Sequence, residues 1–494
     1  MKYKSFFCAL LLLVFALNAI AGNKQLNNSR PNIILVMTDD QGMGDLSCMG
    51  NEILRTPHID NFYENATRFT DFQVSPTCAP TRSAIMSGRA PFKNGVTHTI
   101  YQRERMALDV FTLPQALQSA GYKTGIFGKW HLGDEEAYLP GNRGFDEVLI
   151  HGAGGIGQVN YGDFPPNGDN PYFDNVLLHN NTIVQTEGFC TDLFFQAALA
   201  WIKKQHESKK PYFAYVALNA PHGPMIAPEK YKKRFLDDGY DEQTAARYGM
   251  IENIDDNFGL MMAKLAEWNA LENTLVIFMT DNGMSMAPIK RNGETIIPFN
   301  AGLKGRKNSP YEGGTHVPFF VQWDGVLDKG IDVNALTAHI DLYKTFCYLA
   351  GANLPETMQE IDGRSLLPLL ENPEANWPDR ELFDHCGRWK EGEREENKYK
   401  NCMVRTEHWR FVNNAELADI SNDPGEKNDV SASNPEVVEQ LRKSYDKWWE
   451  SVLPLMVNEG LPLLKPEEQP LAKRYNKQMK ESGIPYWAPD SIDE

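Results

Sequence analysis

The sequence predicts an α/β fold with a large, mostly parallel (mixed) sheet sandwiched by helices, followed by a small C-terminal α+β domain built on a short antiparallel sheet. Through the first three quarters of the chain, short runs of β-branched and aromatic residues alternate with helical patterns. Such alternation is typical of a parallel sheet that is covered on both faces. Beyond about residue 380, strand-like runs follow one another directly and a helical pattern comes after them, which indicates a second, smaller domain.

The first domain contains five predicted strands and four predicted helices. The strands are predicted at 32–38, 124–127, 212–218, 274–280 and 317–323. The helices are predicted at 113–120, 191–206, 245–268 and 334–350. In the longest helix, apolar residues recur at spacings of three or four, from Ile251 through Phe258 to Trp268. This spacing puts them on one face of the helix, where they can cover the sheet.

A polar, proline-containing segment at 371–378 indicates the domain boundary. Beyond it, strands are predicted at 381–385, 400–405 and 409–412, and a helix at 436–449. The predicted division is therefore a leader at 1–21, an α/β domain at 22–375, and a small α+β domain with a surface tail at 376–494.

The leader has the pattern of a secretory signal peptide. Lys2 and Lys4 precede an apolar run at 6–17, and a small-x-small cleavage site ends at Ala21. The apolar run is too short to span a bilayer, and no later stretch is long and apolar enough. We therefore expect an exported protein, periplasmic or secreted, without a membrane span.

Charge and cysteine usage exclude several classes of protein. The net charge of −17 disfavours nucleic acid and anionic membranes as partners. An anionic substrate would therefore need a locally cationic pocket. The six cysteines outside the leader are sparse and show no paired spacing, so the chain is neither a disulfide scaffold nor a Cys-based zinc protein. Pairing of Cys386 with Cys402 across a hairpin remains open.

Polar residues follow four predicted strands at the points where the strands end. They are Asp39-Asp40 after the first strand, Lys129 and His131 after the second, His222 after the third, and Asp281-Asn282 after the fourth. Open α/β sheets bind ligands at the carboxyl ends of their strands, so these groups are expected to meet at one edge. The Asp and Asn side chains are hard oxygen donors, which suit Ca²⁺ or Mg²⁺ better than zinc.

The run from Cys78 through Pro80 to Arg82 is the most informative motif. Pro80 favours the first turn of a helix, and residues 81–87 are compatible with its continuation. A helix N-terminus favours an anion, because its free N–H groups and its dipole point there. A cysteine-phosphatase loop would need Arg six positions after the Cys, where this chain has Ala84.

Cys78-Ala-Pro-Thr-Arg82 resembles the signature of type I sulfatases, in which the Cys is oxidised to formylglycine. From Pro31 to about Leu370 the chain resembles the sulfatase family of the alkaline-phosphatase-like superfamily, and 417–428 resembles the family's closing stretch. The resemblance implies formylglycine at Cys78 and one Ca²⁺ held by Asp39, Asp40, Asp281, Asn282 and the modified Cys78. It implies that the sulfate-binding and catalytic groups are Arg82, Lys129, His131, His222 and Lys307. Lys304 remains an alternative to Lys307, because the segment before it is long.

The resemblance also implies a mechanism and partners. The hydrated formylglycine attacks sulfur, while Arg82 and Lys129 hold its oxygens and those of the sulfate. His222 and Lys307 act on the leaving alcohol, and His131 takes the proton of the second hydroxyl. A formylglycine-generating maturation enzyme is an implied partner.

The expected activity is hydrolysis of sulfate esters, most simply of O-sulfated carbohydrates. Loop residues that could line the pocket rim are His98, His151, Tyr161, His385, Arg388 and Trp389. The alternatives are an arylsulfatase of broad specificity, a phosphodiesterase or phosphatase of the same superfamily, and a non-catalytic glycan-binding relative. Asn282 and Cys78 disfavour the phosphodiesterase, which usually has His and Ser or Thr there, and the retained motifs disfavour the non-catalytic relative.

Overall fold

The structure is a computed structural model that describes residues 25–285 and 288–493. The signal peptide predicted at 1–21 lies outside the described residues. In the part of the chain that is described, no helix combines the length and apolar character needed to cross a membrane.

Ten strands form one mixed sheet whose five central strands run parallel. In chain order the first fourteen strands are β1 (Asn32–Thr38), β2 (Thr67–Phe69), β3 (Phe72–Gln73), β4 (Lys123–Lys129), β5 (Glu147–His151), β6 (Val176–His179), β7 (Thr182–Gln185), β8 (Tyr212–Ala217), β9 (Thr274–Thr280), β10 (Ile289–Arg291), β11 (Glu294–Ile296), β12 (Phe319–Gln322), β13 (Ile331–Val333) and β14 (Thr337–Ala338). The large sheet has the order β13-β2-β12-β9-β1-β8-β4-β5-β6-β7. Neighbours from β9 to β5 pair in parallel, whereas β12, β6 and β7 run antiparallel to their neighbours.

Helices cover both faces of this sheet. They are α1 (Pro57–Asn65), α2 (Cys78–Ser87), α3 (Leu113–Ser119), α4 (Cys190–Glu207), α5 (Glu229–Asp237), α6 (Glu242–Glu267), α7 (Glu312–Thr315), α8 (Asp341–Ala350) and α9 (Leu367–Glu371). α2, α3 and α8 share one hydrophobic core, and α1, α4 and α6 share the other. On β1, Ile33 and Leu35 enter the first core while Ile34 and Val36 enter the second. A strand that is buried on both faces needs a continuous apolar run, which is how the sequence of β1 reads.

The C-terminal part forms its own antiparallel sheet. Its strands are β15 (Leu382–His385), β16 (Cys402–Arg405), β17 (Trp409–Val412) and β18 (Glu416–Asp419), and the helices after them are α10 (Pro435–Val452) and α11 (Pro470–Glu481). α10 packs its aromatic face, including Tyr445 and Trp449, against this sheet in a separate core. The tail then returns to the large domain, where Leu471 enters the first core and Gln478 pairs with the backbone of Ile183 on β7.

A buried ion cluster joins the two parts. Glu312 of α7 accepts hydrogen bonds from Arg405 at 3.0 Å and from Arg410 at 2.6 Å, both on the C-terminal sheet. All three side chains are at most 2% exposed. An unpaired charge at such depth would be strongly destabilising, so this cluster fixes the small sheet on the large domain.

The predicted fold class is confirmed, with local differences. The helix predicted at 334–350 begins only at Asp341, because Ala338 pairs beside Gln73 and the Asp341 carboxylate accepts the Ala338 N–H at 2.8 Å. β18 was not predicted. Every described cysteine is a free thiol, so Cys386 and Cys402 are not joined. The domain boundary at 375/376 falls between α9 and β15 and stays a prediction.

Candidate active site

Four adjacent parallel strands bring their terminal residues to one edge of the sheet. β9, β1, β8 and β4 are neighbours in this order. In the register, Thr38 of β1 lies beside Thr280 of β9, so Asp39-Asp40 and Asp281-Asn282, which follow these strands, emerge side by side. Lys129 ends β4, and the loops after β4 and β8 carry His131 and His222. Parallel pairing therefore gathers the polar groups that the sequence spreads over 244 positions, from Asp39 to Asn282.

Cys78 is the first residue of α2, a ten-residue helix that ends at the left-handed Gly88. Thr77 before it is extended, and the whole helix is buried. The thiol and the carboxylates of Asp39 and Asp281 lie within 4.8 Å of one another. Burial raises the pKa of the Cys78 thiol, but Lys129 and Lys307 outweigh burial, so the net shift is downward. The structure therefore holds Cys78 where negative charge is stabilised.

Each of the three buried carboxylates faces one buried cation. Lys129 Nζ lies 2.5 Å from Asp39 Oδ2, Arg82 Nη2 lies 2.8 Å from Asp281 Oδ2, and Lys307 Nζ lies 2.6 Å from Asp40 Oδ1. Burial raises the pKa of Asp39 to about 6 even with Lys129 beside it. Burial also raises the pKa of Asp40, but Lys307 and His222 outweigh burial and hold this pKa well below its usual range.

Two buried oxygens of this cluster have no hydrogen-bond partner in the described part of the chain. They are Asp39 Oδ1 and Asn282 Oδ1. The nitrogen of the same Asn282 amide donates to Asp40 Oδ1 at 2.9 Å. Buried oxygens without hydrogen bonds are costly, and a cation is the partner that would satisfy them. With Asp40 and Asp281 they form a set of hard oxygen donors, which fits Ca²⁺ or Mg²⁺.

A cavity of about 290 Å³ opens beside this cluster. The side chains that line it include Cys78, His131, His222 and Lys307 from the predicted site, together with Tyr161 and Arg388. We call it the inner cavity. Its lining also includes Thr99, Ile100, Gly154, Gln158 and Asn308, which the sequence analysis did not identify. Thr99 and Asn308 adjoin the predicted His98 and Lys307, whereas the others lie in loops without any periodic pattern that could have identified them.

The two histidines of the inner cavity present different nitrogens. His131 Nε2 lies 2.8 Å from the Thr99 carbonyl, which can only accept, so this nitrogen carries the proton. His131 Nδ1 then carries a lone pair, and this nitrogen is buried without a hydrogen-bond partner in the described structure. Burial and the nearby Lys129 lower the pKa of His131 well below its usual value. His222 Nδ1 is held by the Gly223 carbonyl at 2.8 Å, which leaves Nε2 at 3.7 Å from Asp40 Oδ2.

Gly154 makes the position of His131 possible. A Cβ atom at residue 154 would lie 2.5 Å from Cε1 and Nε2 of the His131 ring, closer than real contacts allow. Any larger residue would therefore push the imidazole away from Thr99.

The structure separates the two candidate lysines. Lys307 is 9% exposed and lies on Asp40, whereas Lys304 is 38% exposed and pairs with Glu416 at 2.9 Å. Lys304 also lies over the Tyr311 ring, outside the inner cavity. Of the two, only Lys307 reaches the cluster.

The predicted rim residues divide into three groups. Tyr161 and Arg388 line the inner cavity, and His98 and Trp389 line a second cavity next to it. His151 is buried at the end of β5, with Nδ1 at 2.7 Å from the Gly152 carbonyl, and lines neither cavity. His385 lies inside the C-terminal core, where it stacks on Trp449 and contacts the Tyr445 hydroxyl at 2.8 Å. His385 therefore serves packing in this structure rather than the rim.

The chain matches a family model described as Sulfatase over residues 31–352. Residues 306–450 match a second model, described as N-sulphoglucosamine sulphohydrolase, C-terminal. Among relatives, the N-acetylgalactosamine-6-sulfatase of Homo sapiens is 31% identical over 386 residues, covering 72% of this chain and 68% of that protein. Arylsulfatase A of Homo sapiens is 30% identical, covering 69% of this chain and 68% of that protein.

A solved structure agrees with these matches. The crystal structure of Ps i-CgsB in complex with k-i-k-neocarrahexaose has a TM-score of 0.74 and 29% identity, and the match covers 91% of this chain and 100% of that chain. Since the family model spans residues 31–352, and relatives at least 30% identical match over about two thirds of their own length, the protein belongs to the sulfatase family and is a sulfuric ester hydrolase.

Proposed function

We propose that this sulfatase removes sulfate from O-sulfated carbohydrates, with Ca²⁺ and with a formylglycine made from Cys78. The observation that carries the proposal is the position of Cys78, at a helix N-terminus, on the wall of the inner cavity, and next to buried carboxylates. A helix N-terminus stabilises an anion, and so do the lysines that lower the pKa of this thiol.

Asp39, Asp40, Asp281 and Asn282 are the residues that would hold the calcium ion. Their unpartnered oxygens support this assignment, and the donor set has the hard character that Ca²⁺ prefers. Bound there, Ca²⁺ would supply fixed positive charge for the sulfate oxygens. A lysine or an arginine within 2.8 Å of each of Asp39, Asp40 and Asp281 favours the ionised form that a calcium ligand needs.

Formylglycine in place of Cys78 would supply a hydroxyl nucleophile from its hydrated aldehyde. Cys78 is only 2% exposed, so a maturation enzyme would have to reach it before the chain is folded. Arg82 is held on both sides, by Asp281 and by the Lys129 carbonyl at 3.0 Å. Arg82 and Lys129 therefore form a rigid cationic wall, which stabilises charge that develops on the transferred group.

His131, His222 and Lys307 provide the proton transfers. His131 Nδ1 is a lone pair without a partner in the described structure, so it can accept a proton from a hydroxyl at residue 78. His222 Nε2 and Lys307 Nζ lie 3.7 Å and 2.8 Å from the same oxygen, Asp40 Oδ2, and both side chains line the inner cavity. Lys307 can donate to the leaving alcohol oxygen. His222 can donate from Nε2 only as the imidazolium, because Nδ1 already donates to the Gly223 carbonyl and burial lowers the pKa of His222 to about 4.

Carbohydrate is the proposed substrate class for two reasons. The inner cavity is lined mainly by polar side chains, which suits a hydroxyl-rich ring better than an aryl group. N-acetylgalactosamine-6-sulfatase, which is 31% identical, carries a sugar sulfate in its name. Export under the leader at 1–21 is part of the proposal, since sulfated glycans lie outside cells.

The test is sulfate release from a panel of sulfated monosaccharides, disaccharides and one aryl sulfate, with Cys78→Ala as the control. We expect turnover of at least one sugar sulfate and none by the control. Turnover of the aryl sulfate alone would favour an arylsulfatase of broad specificity. Undiminished turnover by Cys78→Ala would refute the proposed nucleophile.

A further inference from the structure

A second cavity of about 630 Å³ adjoins the inner cavity. We call it the outer cavity. Ile100 and Arg388 line both cavities, so the outer cavity lies directly beside the inner one, which Cys78 lines. The inner cavity is at the lower limit of the size that holds a small ligand, about 300 Å³, whereas the outer one lies well within the range. The two neighbouring cavities together therefore have room for more than one sugar.

The wall of the outer cavity is pre-organised by Arg103. Its guanidinium donates to the carbonyls of Gly387 at 2.7 Å and Trp389 at 3.0 Å, and to Glu459 at 2.9 Å. It also stacks 4.9 Å from the Trp389 ring. One buried residue thus ties three distant segments of the chain into a single wall. A wall that is already ordered loses little entropy when a ligand binds.

The outer cavity is locally cationic in an acidic protein. Arg388 and Lys390 are both exposed, and neither forms an ion pair with any described residue. Arg388 donates to Thr99 Oγ1 at 2.9 Å, which holds its charge at the junction of the two cavities. Of the two lining carboxylates, Glu459 already pairs with Arg103, so only Glu391 opposes these cations. Since the net charge of the chain is −17, two unpaired cations at this place favour an anionic ligand.

An aromatic surface faces the same space. Tyr101 is 39% exposed and meets the His98 ring edge to face at 5.4 Å. Its φ of 65° is one that a residue with a bulky side chain rarely adopts. Burial and Arg103 lower the pKa of His98 to about 3, so this ring is neutral. A half-exposed Tyr offers an apolar face for sugar C–H groups and a hydroxyl for hydrogen bonds.

From these observations, and resting on the proposed function, we propose that the outer cavity binds the sugar next to the sulfated one and that this neighbour is acidic. Lys390 and Arg388 recognise its carboxylate or its own sulfate group, and Tyr101 packs against its ring. The substrate is therefore an anionic oligosaccharide, and a sulfated monosaccharide fills only part of the site.

The test compares four ligands that share one sulfated sugar. This sugar is the best substrate of the sulfate-release panel or, if the panel shows no turnover, N-acetylgalactosamine 6-sulfate. The ligands are the free sugar, and the same sugar linked to a neutral sugar, to a uronic acid, or to a second sulfated sugar. We expect the acidic disaccharides to have kcat/KM values at least about tenfold above the neutral one. The two acidic ligands distinguish a carboxylate from a sulfate as the recognised group.

Variants assign this preference to the outer cavity. Lys390→Ala is expected to reduce the preference for the acidic disaccharide about fivefold or more, mainly through KM. The matched control is Lys400→Ala, which removes an exposed lysine outside both cavities and leaves the preference unchanged. Calorimetry on Cys78→Ala protein measures the same difference in Kd without turnover. Equal Kd values for acidic and neutral disaccharides, or equal effects of the two lysine variants, would overturn the proposal. If the protein releases no sulfate but still binds the acidic disaccharides more tightly than the neutral one, only the proposed function is contradicted.

Discussion

Lys307 offers the sharpest test of the proton-transfer assignments, because the chain supplies a matched control three residues away. Lys307 Nζ lies 2.6 Å from Asp40 Oδ1 and its side chain is 9% exposed. Lys304 Nζ lies 2.9 Å from Glu416 and is 38% exposed. Both substitutions to Ala remove one charge and one ion pair, but only the first removes them from the inner cavity.

The expected magnitudes differ widely. Removing one pre-organised donor from a reacting oxygen typically costs about 2.7–4 kcal/mol, or about 10²- to 10³-fold in kcat. Lys307→Ala should therefore lower kcat by about that factor. Lys304→Ala loses only an exposed pair, worth about 1 kcal/mol or less of stability, and should leave kcat within about threefold.

The assay is steady-state sulfate release at saturating substrate, with thermal melting of both variants. Melting checks that Lys307→Ala is folded. We expect it to fold, because Asp40 keeps its hydrogen bond from Asn282 at 2.9 Å after the lysine is removed. Similar kcat values for the two variants, with both folded, would refute the role of Lys307. A large loss in Lys304→Ala alone would assign the role to that lysine instead.

Three further predictions concern the metal, the domain contact and pH. Removing Ca²⁺ with a chelator should lower both activity and Tm. Asp39→Asn should weaken calcium binding, measured by the rise of Tm during a calcium titration. An unchanged Tm on chelation would contradict the proposed ligands. Arg410→Ala removes one of the cations that neutralise the buried Glu312 carboxylate. It should lower the free energy of unfolding in urea by about 3–5 kcal/mol. A loss below about 1 kcal/mol would contradict the role of this cluster. Burial raises the pKa of Asp384 to about 7, against 3.8 for a free Asp, so its carboxyl binds a proton more tightly when folded and stability should fall as pH rises from about 4 to 7. Asp384→Asn should flatten that fall in urea unfolding curves, and an identical pH profile would count against this pKa.

The clustering of Asp39-Asp40, Cys78 and Asp281-Asn282 could be predicted from sequence because it depends on local patterns and one topological rule. Asp39-Asp40 and Asp281-Asn282 each follow a continuous apolar run, and parallel strands end at the same edge. The structure pairs these two strands directly. Cys78 likewise begins a helix, as Pro80 indicates.

Long-range loop placement was beyond the sequence. Lys307 reaches Asp40 because its own N–H bonds to the Met284 carbonyl at 3.0 Å and the next residue bonds to Pro76 at 2.9 Å. No local pattern encodes such contacts, so Lys304 could not be excluded in advance. His385 illustrates the opposite case, since a histidine near a strand end looks available until the aromatic residues of α10 surround it.

The central claim is that Cys78 acts only after its conversion to formylglycine. The most direct measurement is the fraction of Cys78 converted, from the mass of its peptide, plotted against kcat for preparations made with different amounts of maturation enzyme. We expect a straight line through the origin, with no activity when every Cys78 retains its thiol. Full turnover by protein whose Cys78 is an unmodified thiol would contradict it.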